Sequence, residues 1–312
     1  MPLWTRARTR LLITCVLAYS GLPAAAQVLR QARGNPVARA ATFSAETRLV
    51  LVPVTVTDRF GKTITGLQPE NFQVSDGSTR RDIVWFSRTD APVSMGIVVD
   101  LSSSMQRKLT YALGAAKAAI ETLNPDDAGY LVTFDHRPEL RVPLTRDFAA
   151  LSNRLLFARA EGNTALYDAV NLSLQHGRNS KDMRKVLVVI SDGGDNRSRL
   201  MEADLIAAAL EADTQIYCIG VHEPLRPKDE VEGARFLERI SRLTGGLKFD
   251  VRSVNEIPAA AEALSLAMRE QYVLGFKPPD EVAPAKWRKV RIKVNLRGNP
   301  LQVSARSAYF NP

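Results

Sequence analysis

The stretch Val93 to Met105 reads V-S-M-G-I-V-V-D-L-S-S-S-M, and its chemistry sits at Asp100, Ser102 and Ser104. The apolar run Met95 to Val99 has the length and make-up of a buried parallel strand. The carboxylate and the two hydroxyls follow where that run ends, and open α/β sheets place their ligands at the carboxyl ends of strands. The spacing D-x-S-x-S gathers three oxygen side chains on one turn of backbone. An oxygen-only set of low charge suits a hard cation: Mg²⁺ first, with its octahedral geometry and retained waters, and Mn²⁺ or Ca²⁺ as alternatives. A thiolate-seeking metal finds no ligand there.

Such a loop needs a sheet beneath it, and the flanking sequence supplies one. After Pro92, strand and helix patterns alternate. Strands are expected at 93–100, 128–134, 139–142, 186–191, 214–221 and 247–251, with helices at 109–123, 148–158, 165–176, 201–212, 231–243 and 254–268. Alternation of this kind argues an α/β fold with a Rossmann-like, doubly wound, mostly parallel sheet. Val186 to Ser191 is the most continuously apolar strand and belongs near the centre. The chain before Asp90 and after Gln271 reads as β instead. Val50, Val52, Val54 and Val56 alternate as in a strand, and Pro53 points to an edge position. Asp76-Gly77 marks a hairpin with a longer loop between 72–75 and 82–87. Val290, Ile292, Val294 and Leu296 line one face of a strand, and a turn at Arg297-Gly298-Asn299-Pro300 leads into a last strand, 301–310. Two small β segments are marginal alone. They are expected to pair into one sandwich-like module, with the α/β part inserted between them.

At the D-x-S-x-S motif the chain resembles the von Willebrand factor type A domains, whose metal-ion-dependent adhesion site opens with that pattern. The resemblance covers roughly Pro92 to Tyr272, and the flanks are similar to those of bacterial exported proteins of this kind. It implies two further ligands: Thr164, in E-G-N-T-A-L-Y-D-A-V, and Asp192, in V-L-V-V-I-S-D-G-G-D-N. In such a site Ser102, Ser104 and Thr164 ligate through neutral hydroxyls, while Asp100 and Asp192 hold the cluster directly or through water. The ligand that completes the shell is an Asp or Glu carboxylate of a partner protein. Taken singly, each motif has a plainer reading. Asp100 and its serines can cap a helix, Thr164 and Asp168 can cap and charge another, and Asp192-Gly193-Gly194 can be a tight turn.

Length and charge set the remaining bounds. The 312 residues have 45% hydrophobic and 24% charged side chains, ordinary for a globular chain. Arg6, Arg8 and Arg10 precede an apolar run from Leu11 to Leu22, and Ala24, Ala25 and Ala26 offer a cleavage site, the pattern of a secretory signal. The expected plan is a signal peptide at 1–26, a flexible leader at 27–45, a β segment at 46–90, the type A-like domain at 91–271 and a β segment at 272–312. Cleavage would remove three arginines and no acid, lowering the formal charge from +9 by three. That is no nucleic-acid footprint, and no later segment is long and apolar enough to span a membrane. Of the two cysteines only Cys218 would remain, so no disulfide is expected within the chain. The sequence has no G-x-S-x-G, H-E-x-x-H or phosphate-binding loop, and His136, His176 and His222 stand apart from any ligand pair. The resemblance implies an exported, periplasmic or extracellular Mg²⁺-dependent protein-binding module, and the missing motifs make a non-catalytic one the expectation. The alternatives are a metal-independent scaffold of the cell envelope and an enzyme of unrecognised chemistry.

Overall fold

The computed structural model describes residues 49–88, 90–180, 184–223, 228–279, 286–296 and 300–311. The expected signal and leader lie outside them, as do residues 297–299 of the expected turn. The chain begins with β1 (Val50–Thr57), β2 (Phe72–Asp76), β3 (Thr79–Arg81) and β4 (Trp85–Ser87). Strand and helix then alternate: β5 (Val93–Asp100), α1 (Leu109–Glu121), β6 (Ala128–Phe134), β7 (Pro138–Thr145), α2 (Phe148–Leu155), α3 (Leu166–Gly177), β8 (Arg184–Ser191), α4 (Glu202–Glu211), β9 (Gln215–Val221), α5 (Lys228–Thr244), β10 (Lys248–Val251) and α6 (Ile257–Arg269). It closes with β11 (Tyr272–Phe276), β12 (Lys286–Val294), β13 (Gln302–Ala305) and β14 (Ala308–Asn311).

The middle block forms a six-stranded sheet in the order β10-β9-β8-β5-β6-β7, parallel except for β7, which runs antiparallel to β6. Every residue of β5 is buried, as a strand covered on both faces must be. Met95, Ile97 and Val99 share one core with the alanine face of α1 and with Leu264 and Met268 of α6. Val98 points the other way, into a core with Leu166, Leu205 and Leu237 of α3, α4 and α5. Gly96 lies on that second side because a methyl group there would sit 2.4 Å from Leu187 and from the Tyr130 ring. Tyr130 can then lie across β5 and donate its hydroxyl to Ser173 O at 2.7 Å. From β5 the chain winds outward to β6 and β7, then returns through α3 to β8 on the opposite side. The order of strands therefore reverses at β5, which makes the crevice above β5 and β8 the natural place for a ligand.

The outer strands build two antiparallel sheets, β13-β1-β11-β4 and β14-β12-β2-β3. Each mixes strands from both ends of the chain, and Val52, Val54, Phe72, Leu274, Phe276 and Ile292 fill the space between them. Three expectations are corrected here. Pro53 is not on an edge strand, since β1 lies between β11 and β13; β13 pairs only with Val54 to Thr57, so Pro53 falls beyond that ladder. The hairpin after β2 is tight, with Asp76 opposite Thr79 and Gly77 at φ +63°, and the expected strand 82–87 reduces to β4, which joins the other sheet. The expected strand 301–310 is two strands in two sheets. The chain crosses over at Arg306-Ser307, where Ser307 N donates to Leu243 O at the end of α5.

Candidate metal centre

Three loops meet at the carboxyl end of the central sheet, stitched together by backbone and side-chain hydrogen bonds. The loop after β5 joins the loop before α3 through Ser103 N to Gly162 O (3.0 Å) and Glu161 N to Leu101 O (2.8 Å). That second loop joins the one after β8 through Thr164 N to Asn196 Oδ1 (2.9 Å), answered by Asn196 N to Thr164 O (3.0 Å). Ser104, Thr164 and Asp192 consequently line one pocket of about 810 Å³, together with Tyr167 and Phe236.

Asp100 lies beneath the pocket floor with no solvent exposure. Its Oδ1 accepts from Ser102 N (2.9 Å) and its Oδ2 from the Ser191 hydroxyl (2.6 Å). The Ser102 and Ser104 hydroxyls are 3.1 Å apart, and the Ser104 hydroxyl also bonds to Asp192. Asp192 accepts from Gly194 N on Oδ1 (3.2 Å) and from the Lys108 ammonium on Oδ2 (2.7 Å). Five oxygen-bearing side chains thus share one network or one pocket: Asp100, Ser102, Ser104, Thr164 and Asp192. Among the described residues no group of three or more His, Cys, Asp or Glu side chains could hold a metal ion. A centre built here would rest on two carboxylates and three hydroxyls.

Electrostatics test whether that set suits a cation. Burial first, and the Asp192 charge second, push the Asp100 carboxyl up to about 7 against the partial opposition of hydrogen bonds from Ser102 and Ser191. Burial would raise Asp192 as well. The Lys108 ammonium, the Ser104 hydroxyl and the Gly194 N–H outweigh it and hold that carboxyl below the usual range. One buried acid thus has a cation and the other lacks one, which is the environment a hard divalent ion would relieve.

Residues 95–194, which contain all five positions, match the family model of the von Willebrand factor type A domain. Over those residues the chain is similar to the von Willebrand factor type A domains. Two curated relatives match at low identity. An uncharacterized protein of Borreliella burgdorferi is 26% identical over 180 residues, covering 50% of this chain and 52% of its own length. An uncharacterized protein of Synechocystis is 29% identical over 108 residues, covering 34% of this chain and 26% of its own length. The chain therefore spans about half or less of the curated relatives it matches. Among solved structures, a von Willebrand factor type A protein of Catenulispora acidiphila superposes with a TM-score of 0.49 and 13% identity, covering 85% of this chain and 74% of that one.

Other polar groups at the rim have structural work. Asp195 accepts from Tyr167 N (3.0 Å) and the Ser198 hydroxyl (2.5 Å), and Asp168 accepts from Arg199 N (3.0 Å) and Leu200 N (3.1 Å). These two acids brace the first turn of α3 against the loop after β8. Asp135 caps its own turn through Arg137 N (3.1 Å). Ser191, Asn196 and Lys108 were not singled out from sequence. Ser191 ends the apolar strand directly before Asp192, a position whose alternation with Ile190 hinted that it faces the loops.

Gly193 is fixed by its surroundings twice over. Its φ is +88°, and a methyl group there would lie 2.3 Å from Gly233 O of α5. Gly193→Ala is expected to cost about 2 kcal/mol, a left-handed penalty of about 1–2 kcal/mol plus the displacement of α5. Urea unfolding measures it, and an unchanged midpoint would contradict the packing described.

Proposed function

We propose that this chain is an exported protein-binding module whose type A domain grips an acidic side chain of a partner through a divalent cation, Mg²⁺ in the first instance. The observation that carries this reading is the pocket lined jointly by Ser104, Thr164 and Asp192, three residues from three loops. Ser102, Ser104 and Thr164 would hold the ion with neutral hydroxyls, and Asp100 and Asp192 would supply the negative charge. When bound, the ion supplies an electron-poor coordination position that a carboxylate fills. The chain's own part is to fix those oxygens on a rigid rim and to present a pocket wide enough for a side chain and its flanking backbone. Export rests on the signal pattern at residues 1–26 and places the module in the periplasm or outside the cell. Among the described residues no helix is long and apolar enough to cross a membrane. In this reading the work is recognition, not catalysis.

Melting curves with chelator and with Mg²⁺ or Mn²⁺ test the claim. The native chain is expected to melt several degrees higher with the ion, as any ligand bound only by the folded state requires, and Asp100→Ala is expected to show no such shift. No shift in the native chain removes the cation from the proposal. A second reading, a scaffold that works without metal, is favoured by one observation: Asp192 already has a cation in Lys108.

A further inference from the structure

Lys108 stands directly before α1, at the end of the loop that carries Asp100, Ser102 and Ser104. Its carbonyl accepts from Tyr111 N and Ala112 N, both at 3.0 Å, so the first turn of α1 fixes its backbone. Its side chain is 2% exposed, and Nζ lies 2.7 Å from Asp192 Oδ2. Lysine is among the residues least often buried, and a desolvated ammonium persists only where an anion meets it. One anion that meets it here is Asp192, a candidate ligand of the cation. The other oxygen of Asp192 accepts from Gly194 N–H. Both oxygens of that carboxylate are therefore engaged by the chain itself.

We propose, on the basis of the cation reading above, that Lys108 is a positioning residue that sets the cation affinity of the site. It is a tethered rival for Asp192, holding that carboxylate to itself and repelling a divalent ion placed beside it. Lys108 and Asp192 are both buried, and two like charges brought together at a buried position repel more strongly than at the surface. The affinity of the site is thereby set below what its five oxygen side chains would give alone. Occupancy becomes conditional, rising with free cation and with any carboxylate that a partner adds to the cluster. By linkage, the cation and the acidic ligand each strengthen the binding of the other. A site of this kind grips when a partner arrives and gives up its ion when the partner leaves.

The test is a titration of the full chain with Mn²⁺ alone, read by electron paramagnetic resonance of the free ion. The native protein is compared with Lys108→Met, Lys108→Gln and Asp100→Ala, each first shown to fold by its metal-free melting curve. The Met variant removes the charge and the hydrogen bond. The Gln variant removes only the charge, and it carries the test if Met does not fold. Both lysine variants are expected to bind Mn²⁺ at least tenfold more tightly than the native chain, and adding Asp100→Ala to either is expected to abolish the gain. Equal or weaker binding in the variants, with measurable binding in the native chain, overturns the role of Lys108 and leaves the cation reading standing. Absence of binding in every chain overturns both.

Discussion

Asp127→Ala is expected to destabilise the protein by about 3–5 kcal/mol, the cost of stripping a buried ion pair of one partner. Asp127 is 1% exposed and accepts from Val93 N (2.8 Å), Asn124 N (2.7 Å) and the Arg269 guanidinium. Arg269, at the end of α6, also donates to Thr122 O (3.2 Å). One carboxylate therefore holds together the start of β5, the turn after α1 and the end of α6. Without it a backbone N–H at the first residue of the central strand loses its acceptor, and a half-buried guanidinium loses its main counter-ion. Burial alone would raise the Asp127 carboxyl, but Arg269 and the two N–H groups outweigh it and hold it below the ordinary value. Its contribution is then present above the unfolded pKa and disappears as pH falls through the lower folded one. Asp90 also pairs with Arg269, at 3.4 Å, but is 40% exposed, and Asp90→Ala is expected to cost no more than about 1 kcal/mol. Urea unfolding of the two variants separates the cases, and a loss below that level for Asp127→Ala would refute the clamp.

The second large effect runs the opposite way. In chelator, Asp100→Asn is expected to stabilise the fold above neutral pH. The Asp100 carboxyl is raised from 3.8 to about 7 by burial and by Asp192. A carboxyl whose folded pKa is raised favours the folded state when protonated, so its contribution is intact below the unfolded value and is lost as pH climbs to the folded one. Three pH units correspond to about 4 kcal/mol at most. The native metal-free chain should therefore lose stability between about pH 4 and pH 7, and the asparagine variant should lack that loss. Chemical unfolding at pH 5 and pH 8 in chelator reads the difference. A native chain equally stable at both would show that the site is better compensated than its geometry implies.

What the sequence made legible follows from what is local. The D-x-S-x-S loop, the apolar strand ahead of it and the strand–helix alternation are each written within a dozen residues, and the mostly parallel α/β fold follows from them. Pairing of the two β ends into a sandwich was readable from the poor stability of each end alone. Sheet membership was not. The break at Arg306-Ser307 is fixed by Ser307 N meeting Leu243 O, a contact 64 residues distant that no pattern in 301–310 encodes. Pro53 misled because a proline tolerates a central strand when one neighbouring strand stops short of it. Lys108 was hidden for a similar reason: nothing in its own neighbourhood of the sequence marks an interior residue, and its contact with Asp192 lies far along the chain.

The two places where the chain enters and leaves the type A domain deserve a mechanical interpretation. Val93 and Arg269 lie together at the amino ends of the parallel strands, bound by Asp127, while the candidate pocket opens at the carboxyl ends. Nearby, Gln271 donates to Thr55 Oγ1 (3.1 Å) of β1 and to the Tyr217 hydroxyl (2.8 Å) of β9, tying sandwich to sheet. The connections to the sandwich and the candidate pocket are thus at opposite poles. A pull applied at that pocket would run lengthwise down β5 and load its hydrogen bonds to β6 and β8 together instead of one by one.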